Sequence, residues 1–320
     1  MQESAKKKKI IVTGAAGLVG QNLVTLLVKH DDYELIAIDR HRHNLALLAR
    51  LHPGVRIVEA DLAEPGDWER TFEGSDVVVQ LHAQVTAKTW EPFERNNIVA
   101  TERVLGAMKT AGVPYLVHVS SSVVVSVADD GYTRSKKAQE KLVRESGLAH
   151  CVLRPTLMYG WFDPKHLGWL ARFMRKVPVF PIPGDGRYMR QPLYALDFSR
   201  VIEVCIERRP RGDVYDLVGV ERIDYVDILR AIRRIQRSRT PFVHVPVPIF
   251  KALLRIYALG SKKPPFTADQ LTALSAGDDF SGVDLFETFG VRPTPFEQGM
   301  TETLTHPRYA SVVLQSTSEK

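Results

Sequence analysis

Only two cysteines occur in the 320 residues, Cys151 and Cys205. Their dissimilar surroundings suggest neither a disulfide framework nor a metal site, so a reducing, cytoplasmic setting is the expectation. No apolar run approaches the roughly 20 residues that cross a bilayer, and no transmembrane segment is expected. The opening MQESAKKKKIIVTG has a basic run but lacks the apolar stretch and small-residue cleavage site of a secretory signal. Internal repeats and low-complexity linkers are also missing. Excess charge is slight, a formal +6, and the Lys and Arg residues are scattered without an aromatic-basic recognition motif. That argues against a nucleic-acid partner and leaves a general bias toward small anionic molecules. Lys6 to Lys9 read as a solvated lead-in to the first strand.

What is present is an ordinary globular composition, 44% hydrophobic and 25% charged. The first 155 residues alternate β-branched runs with helix-period segments. KIIVTG, ELIAIDR, VRIVEADL, DVVVQLHA, YLVHVSSS and AHCVLRPT read as strands, with helices between them. The strands are almost continuously apolar, as in a parallel sheet covered on both faces. Short connections then imply right-handed crossovers. The predicted fold class is α/β: a Rossmann-type, doubly wound parallel sheet with a smaller C-terminal substrate lobe. Residues 1–156 form the first lobe, with a return to the sheet at about 193–219. Residues 157–192 and 220–308 form the second lobe, and 309–320 read as a frayed tail. PPFTADQLTAL reads as a proline-started helix with Thr267 as its N-cap. PVPIFKALLRIYAL reads as an apolar helix carrying Lys251 and Arg255. It is compatible with surface membrane contact, although packing on its own domain is favoured.

Chemistry is first legible in TGAAGLVG, where Gly14, Gly17 and Gly20 lie between a strand and a helix. Backbone free of Cβ atoms can approach a diphosphate there, with the helix N-terminus aimed at the anion. Asp39 closes the second strand, where a carboxylate accepts from ribose hydroxyls and favours NAD. Arg40 and Arg42 follow at once and would suit a 2′-phosphate, which keeps NADP in view. Asp61, closing the third strand, is either an adenine contact or a helix cap. Tyr132 and Lys136 stand one turn apart on one helix face. A nearby ammonium lowers a phenol's pKa, so the tyrosine could exchange a proton with an alcohol during hydride transfer. Ser120, Ser121 and Ser122 lie upstream where a sheet strand should end. His82 and His118, on sheet strands, read as packed or hydrogen-bonded. Trp161, Phe162, Trp169 and Phe173 read as either core or cover for the active-site mouth.

The ordered set TGAAGLVG, AIDR, EADL, LHA, NNIVATERVLGAMKTAGV, HVSSS, YTRSKKAQE, VLRPTLMYG and RQPLYALD resembles the extended short-chain dehydrogenase/reductase family, also called the NAD-dependent epimerase/dehydratase family. The resemblance implies catalytic roles for Tyr132, Lys136 and Ser121, with Ser122 as the fallback. It implies cofactor contacts from Gly14, Ala16, Gly17, Leu18, Val19 and Gly20 in the loop. Asp39, Arg40, Asp61, Leu62, Leu81, Ala83, Asn96 (or Asn97), Tyr132, Lys136 and Pro155 complete that set. Arg190 and Tyr159 are the implied substrate contacts, and a homodimer is the implied assembly.

The implied activity is NAD-dependent epimerisation of a nucleotide sugar at C4 through a transient ketone. Reduction of a keto-sugar or other ketone with NAD(P)H is the alternative. Departures narrow the choice. Ser122-Val123 stands where the 4,6-dehydratases carry Asp-Glu, and Val123 stands where the decarboxylases need Glu. Val124-Val125-Ser126 replaces Val-Tyr-Gly, removing an aromatic ring from the substrate side. The C-terminal half is similar to the branch containing the complex I NAD(P)-binding accessory subunit, which admits a third reading as a cofactor-binding scaffold.

Overall fold

The apolar runs of the N-terminal half become β1 (Lys8–Thr13), β2 (Tyr33–Asp39), β3 (Arg56–Glu59), β4 (Val77–Gln80), β5 (Leu116–Val119) and β6 (His150–Pro155). The computed structural model describes residues 6–126, 129–260 and 280–315. Helices α1 (Leu18–Leu27), α2 (Arg42–Leu51), α3 (Glu91–Phe93), α4 (Ala100–Ala111) and α5 (Gly131–Arg144) connect these strands, with a 3-10 turn at Asp67–Phe72. A π-helical stretch, Glu94–Val99, fuses α3 to α4, so this helix starts before the NNIVAT motif.

Further along come β7 (Met158–Tyr159), α6 (Leu167–Met174), β8 (Phe180–Pro183), β9 (Met189–Arg190), β10 (Leu193–Tyr194), α7 (Ala195–Arg208) and β11 (Val214–Leu217). Then follow β12 (Ile223–Asp224), α8 (Tyr225–Ile235), β13 (Phe242–Val245) and α9 (Val247–Gly260), with two helices at Leu285–Phe289 and Phe296–Thr305. The helix expected over PPFTADQLTAL, with Thr267, lies outside the described residues.

Seven strands form one parallel sheet in the order β11-β6-β5-β4-β1-β2-β3. It is the doubly wound arrangement expected, and β11 is the predicted return to the sheet. Ile10, Ile11, Val12, Val77, Val78 and Val79 are fully buried, because helices cover both faces. Leu23 and Leu27 of α1 join Phe198 and Ile202 of α7 on one face. Val104 and Met108 of α4 join Val143 of α5 on the other. The strand order reverses at β1, which pairs with both β2 and β4. A crevice opens at the carboxyl ends of strands at such a switch point.

A second core gathers Tyr159, Phe162, Met174, Phe180, Ile228 and Met300. Trp161 and Phe162 belong to it, which settles them as packing residues. Trp169 instead stacks on Phe173, with ring centroids 5.0 Å apart. Residues 309–315, expected to fray, are docked. Tyr309 packs on Trp161 at 4.7 Å and Leu314 is buried. The Asn44 side chain imitates a strand partner for Gln315: its Oδ1 accepts from Gln315 N at 3.0 Å, and its Nδ2 donates to Gln315 O at 3.1 Å.

One buried ion pair ties the sheet to α5. Glu140 accepts from Ser120 Oγ at 2.8 Å and from Arg154 Nε at 3.0 Å. Arg154 Nη1 also reaches Asp216 of β11 at 3.5 Å. Burial would raise the Glu140 pKa, but the Arg154 and Ser120 hydrogen bonds outweigh it and hold it below the ordinary value. Glu140→Ala leaves Arg154 buried without its main partner. It should destabilise the protein by about 3–5 kcal/mol, read by urea unfolding. Because the folded pKa is depressed, the carboxylate's contribution is present above the ordinary Glu pKa and lost as pH falls through the folded one. The wild type should therefore lose more stability on acidification than Glu140→Ala does.

Candidate active site

Gly14 ends β1 with φ +71°, and a Cβ there would sit 2.5 Å from His82 N. Only glycine fits both the backbone angle and the close approach. A Cβ on Gly20 would meet Ala15 Cα at 2.5 Å, so this glycine lets α1 pack against the loop rather than approach a ligand. No side chain caps α1, and no acidic residue stands in its first turn. Its N-terminal amides thus retain the positive end of the helix dipole for an anion.

A cleft of about 760 Å³ opens in front of this turn. Its walls include Gly14, Ala16, Gly17, Leu18, Asp39, Arg40, Asp61, Leu62, Leu81, Ala83 and Asn96, eleven of the residues expected at the cofactor. Val19, Gly20, Tyr132, Lys136 and Pro155 are not among its lining residues. Asp39 is already engaged: Oδ2 accepts from Ala16 N at 3.0 Å and Oδ1 from His41 N at 2.9 Å. Its first structural task is to brace the glycine loop from β2. Arg40 reaches Asn96 Oδ1 at 2.7 Å and Gln84 Oε1 at 3.1 Å, at the rim of the cleft. Asp61 accepts from Ala63 N and from Arg95, so its turn-capping role is real while it also faces the cleft. Wall segments without a sequence signal are residues 85–88, the loop at 163–166 and Leu314 with Gln315, while Trp169 of α6, which the sequence offers as core or cover, also lines the cleft. Asp163 is buried and caps that loop, accepting from the amides of Lys165, His166 and Gly168.

Beyond these walls, the Ser121 hydroxyl, just past β5, neighbours the Tyr132 phenol at the start of α5. Ser121, not the buried Ser122, meets the tyrosine. Asp130 caps α5 by accepting from Thr133 N at 2.7 Å, which fixes the turn that carries Tyr132. Burial raises the phenol's pKa, Asp130 adds to the rise, and the Ser121 hydrogen bond offsets part of it. The expected lowering by Lys136 is not seen in this arrangement. Its ammonium donates instead to Val119 O at 2.9 Å and to Gln139 Oε1. Burial lowers the Lys136 pKa to about 7, against the opposing pull of Glu140.

Gln139 opens a polar chain through an otherwise apolar sheet. Its Nε2 donates to Thr101 Oγ1 at 2.9 Å, which also accepts from Gln80 Nε2 at 2.7 Å. Gln80 Oε1 is paired with His118 Nδ1 at 3.1 Å, and His82 Nδ1 with Thr13 Oγ1 at 2.9 Å. Both histidines are thus held by hydrogen bonds, as their strand positions suggest, and His82 also lines the cleft. Tyr159 was expected at the substrate. It is buried instead in the second core, stacked on Tyr194 at 5.3 Å, with its hydroxyl toward Phe296 O. Arg190 lies on β9, buried near Tyr225.

A model of the NAD dependent epimerase/dehydratase family matches residues 10–218, well over half of the chain. The chain belongs to that family. It is an NAD-dependent enzyme of the extended short-chain dehydrogenase/reductase type. Among curated relatives, a ceramide reductase from Caulobacter vibrioides is 24% identical over 246 residues, covering 75% of this chain and 74% of its own. Among solved structures, UDP-glucose 4-epimerase from Thermotoga maritima superposes with a TM-score of 0.74 at 20% identity, covering 92% of this chain and 97% of its own. UDP-glucuronic acid 4-epimerase from Bacillus cereus, solved with NAD, gives 0.67 at 24% identity, covering 74% and 87%. These two structures share the fold. The family match ends at residue 218, and these matches do not show the likeness of the C-terminal half to the complex I NAD(P)-binding accessory subunit.

The family's cofactor fits the residues present. The uncapped α1 amides and the Cβ-free surface of Gly14 suit a diphosphate, and the walls from Asp39 to Asn96 suit an adenosine. Gly14→Ala should weaken NAD binding about ten- to hundredfold, as expected of roughly 1–3 kcal/mol of backbone strain. Calorimetric titration measures it, with circular dichroism to confirm the fold.

Proposed function

We propose that the enzyme epimerises a nucleotide sugar at C4 through a transient ketone. The observation that carries the reading is that Ser121 neighbours Tyr132, with the buried Lys136 one turn further along the same helix. NAD, when bound, supplies the hydride acceptor and donor. Tyr132 takes the proton of the alcohol at its phenolic oxygen and returns it when the alcohol re-forms. Ser121 holds the reacting oxygen by a hydrogen bond. Lys136, which donates to Val119 O and Gln139 in this arrangement, would favour the phenolate that accepts the proton once its charge is turned to the phenol. Arg190, on the second lobe, would meet the substrate's diphosphate, and residues 157–192 with 220–308 would close over it. The Tyr159 position is better described as support for that lobe.

A second reading, net reduction of a more apolar ketone, is favoured by one feature. Val125, in the turn directly after Ser121, is 54% exposed, where an aromatic side chain would stack on a sugar. The Caulobacter relative, by its name a reductase of ceramide, fits that chemistry. The two readings differ in cofactor exchange. An epimerase turns over on its resident NAD, whereas a reductase stops after one turnover unless reduced cofactor is added. Mass spectrometry of released ligands, followed by a nucleotide-sugar and ketone panel with and without added cofactor, separates them.

Tyr132→Phe should cut kcat by roughly 100- to 10,000-fold, the usual worth of a positioned acid/base, with NAD affinity nearly unchanged. Full turnover in that variant would remove the tyrosine from the mechanism.

Gln139 acts as a positioning residue for Lys136. Gln139→Leu deletes an acceptor for the ammonium and should lower the Lys136 pKa below about 7. The alkaline limb of the kcat profile should therefore move to lower pH. Gln139→Glu should move it to higher pH. A purely structural role would lower the melting temperature and leave the limb in place.

A further inference from the structure

Helix α9 is the anomaly of the fold. From Val247 to Ile256 it is mostly apolar, yet none of these residues is fully buried. Ile249, Leu253 and Ile256, spaced four and three apart, share one face and are 54%, 55% and 65% exposed. Val243 of β13, which leads into α9, is exposed as well, as is Val179 before its partner strand β8. An apolar stripe of this kind, continued onto the adjoining strand edge, marks a contact surface.

Charge identifies what it contacts. From Ile228 to Gly260 the sequence carries seven Lys and Arg and not one Asp or Glu. That single stretch exceeds the whole chain's net +6, so the remainder is almost neutral. Arg230 and Arg234 are paired with Asp227 and Glu297, and Arg233 lies over the Phe242 ring at 4.4 Å. Arg237, Arg239, Lys251 and Arg255 have no ion-pair partner among the described residues. Four cations without an ion-pair partner, in the same stretch of chain as an unburied apolar face, are the two components by which an interfacial helix binds an anionic bilayer.

We propose that α9 and the β13 edge seat this enzyme on an anionic lipid surface. Ile249, Leu253 and Ile256 enter the acyl boundary, and the neighbouring cations meet the headgroups. The inference is independent of which substrate the active site takes.

The test is co-sedimentation of the full-length protein with phosphatidylcholine vesicles prepared with and without phosphatidylserine. Binding is expected only to the anionic vesicles, with release at high salt as headgroup charge is screened. Leu253→Glu combined with Ile256→Glu should abolish it while NAD binding and melting temperature stay as in the wild type. Arg239→Ser and Arg255→Ser should each weaken it about fivefold, the worth of roughly one surface cation. Three results would overturn the proposal. One is absence of vesicle binding. Another is a dimer that the double glutamate variant splits, which assigns the face to a second copy. The third is a fall in melting temperature of that variant without vesicle binding, which assigns the face to the chain's own packing.

Discussion

An ammonium group buried between a helix and a parallel sheet needs acceptors inside the chain, because a buried, unpaired charge costs several kcal/mol. Lys136 is 1% exposed, and the surrounding chemistry follows from that constraint. Val119 O and Gln139 Oε1 accept from it. Gln139 must then be held, and Thr101 accepts from its amide. Thr101 also accepts from Gln80, which in turn fixes His118. One buried charge is thereby linked to polar residues on β4, β5, α4 and α5. These are positions where a structural sheet would carry valine or leucine. Glu140, one residue beyond Gln139, pins the same helix to β6 through Arg154, so the site is held from two directions.

The second constraint is topological. β1 pairs with β2 on one side and β4 on the other, so the loops after β1 and β4 diverge and leave a crevice at their carboxyl ends. His82 comes from the β4 loop and approaches Gly14 so closely that no Cβ fits between them. The glycine loop is thus shaped from both sides, by His82 and by the Asp39 carboxylate on Ala16 N. Cofactor recognition and sheet topology are one feature here, not two.

Much of this was legible in the sequence because the relevant signals are local. Continuous apolar runs gave the sheet, the glycine spacing gave the loop, and the Tyr132/Lys136 spacing gave a shared helix face. Signals that depend on distant pairing were not legible. Gln139 sits between lysines and a glutamate in a segment that reads as solvated, and only the packing of α5 on α4 turns it inward. Tyr159 follows a proline-bearing strand in a family-like motif, but the helix at Phe296–Thr305 comes from nearly 140 residues away to bury it. Asp39 reads as a ribose contact because its position is right, while its hydrogen bond to Ala16 N depends on the register of β1 with β2. The tail after Arg308 looks frayed in composition, yet Asn44, some 270 residues earlier, offers Gln315 both halves of a strand-like pairing.

The two halves of the molecule resolve opposite mismatches between residue and environment. At α5, polar groups lie in an apolar interior, and hydrogen bonds within the chain offset the mismatch. At α9, apolar groups lie in water, and nothing among the described residues absorbs it. Burying one such side chain is worth about 1.5–3 kcal/mol, comparable with a sizeable part of a domain's net stability. Leaving three of them largely exposed on one helix face forgoes part of that gain. That part is recovered only when the face meets something apolar, and the acid-free, cation-rich sequence around it favours a surface that is both apolar and negatively charged.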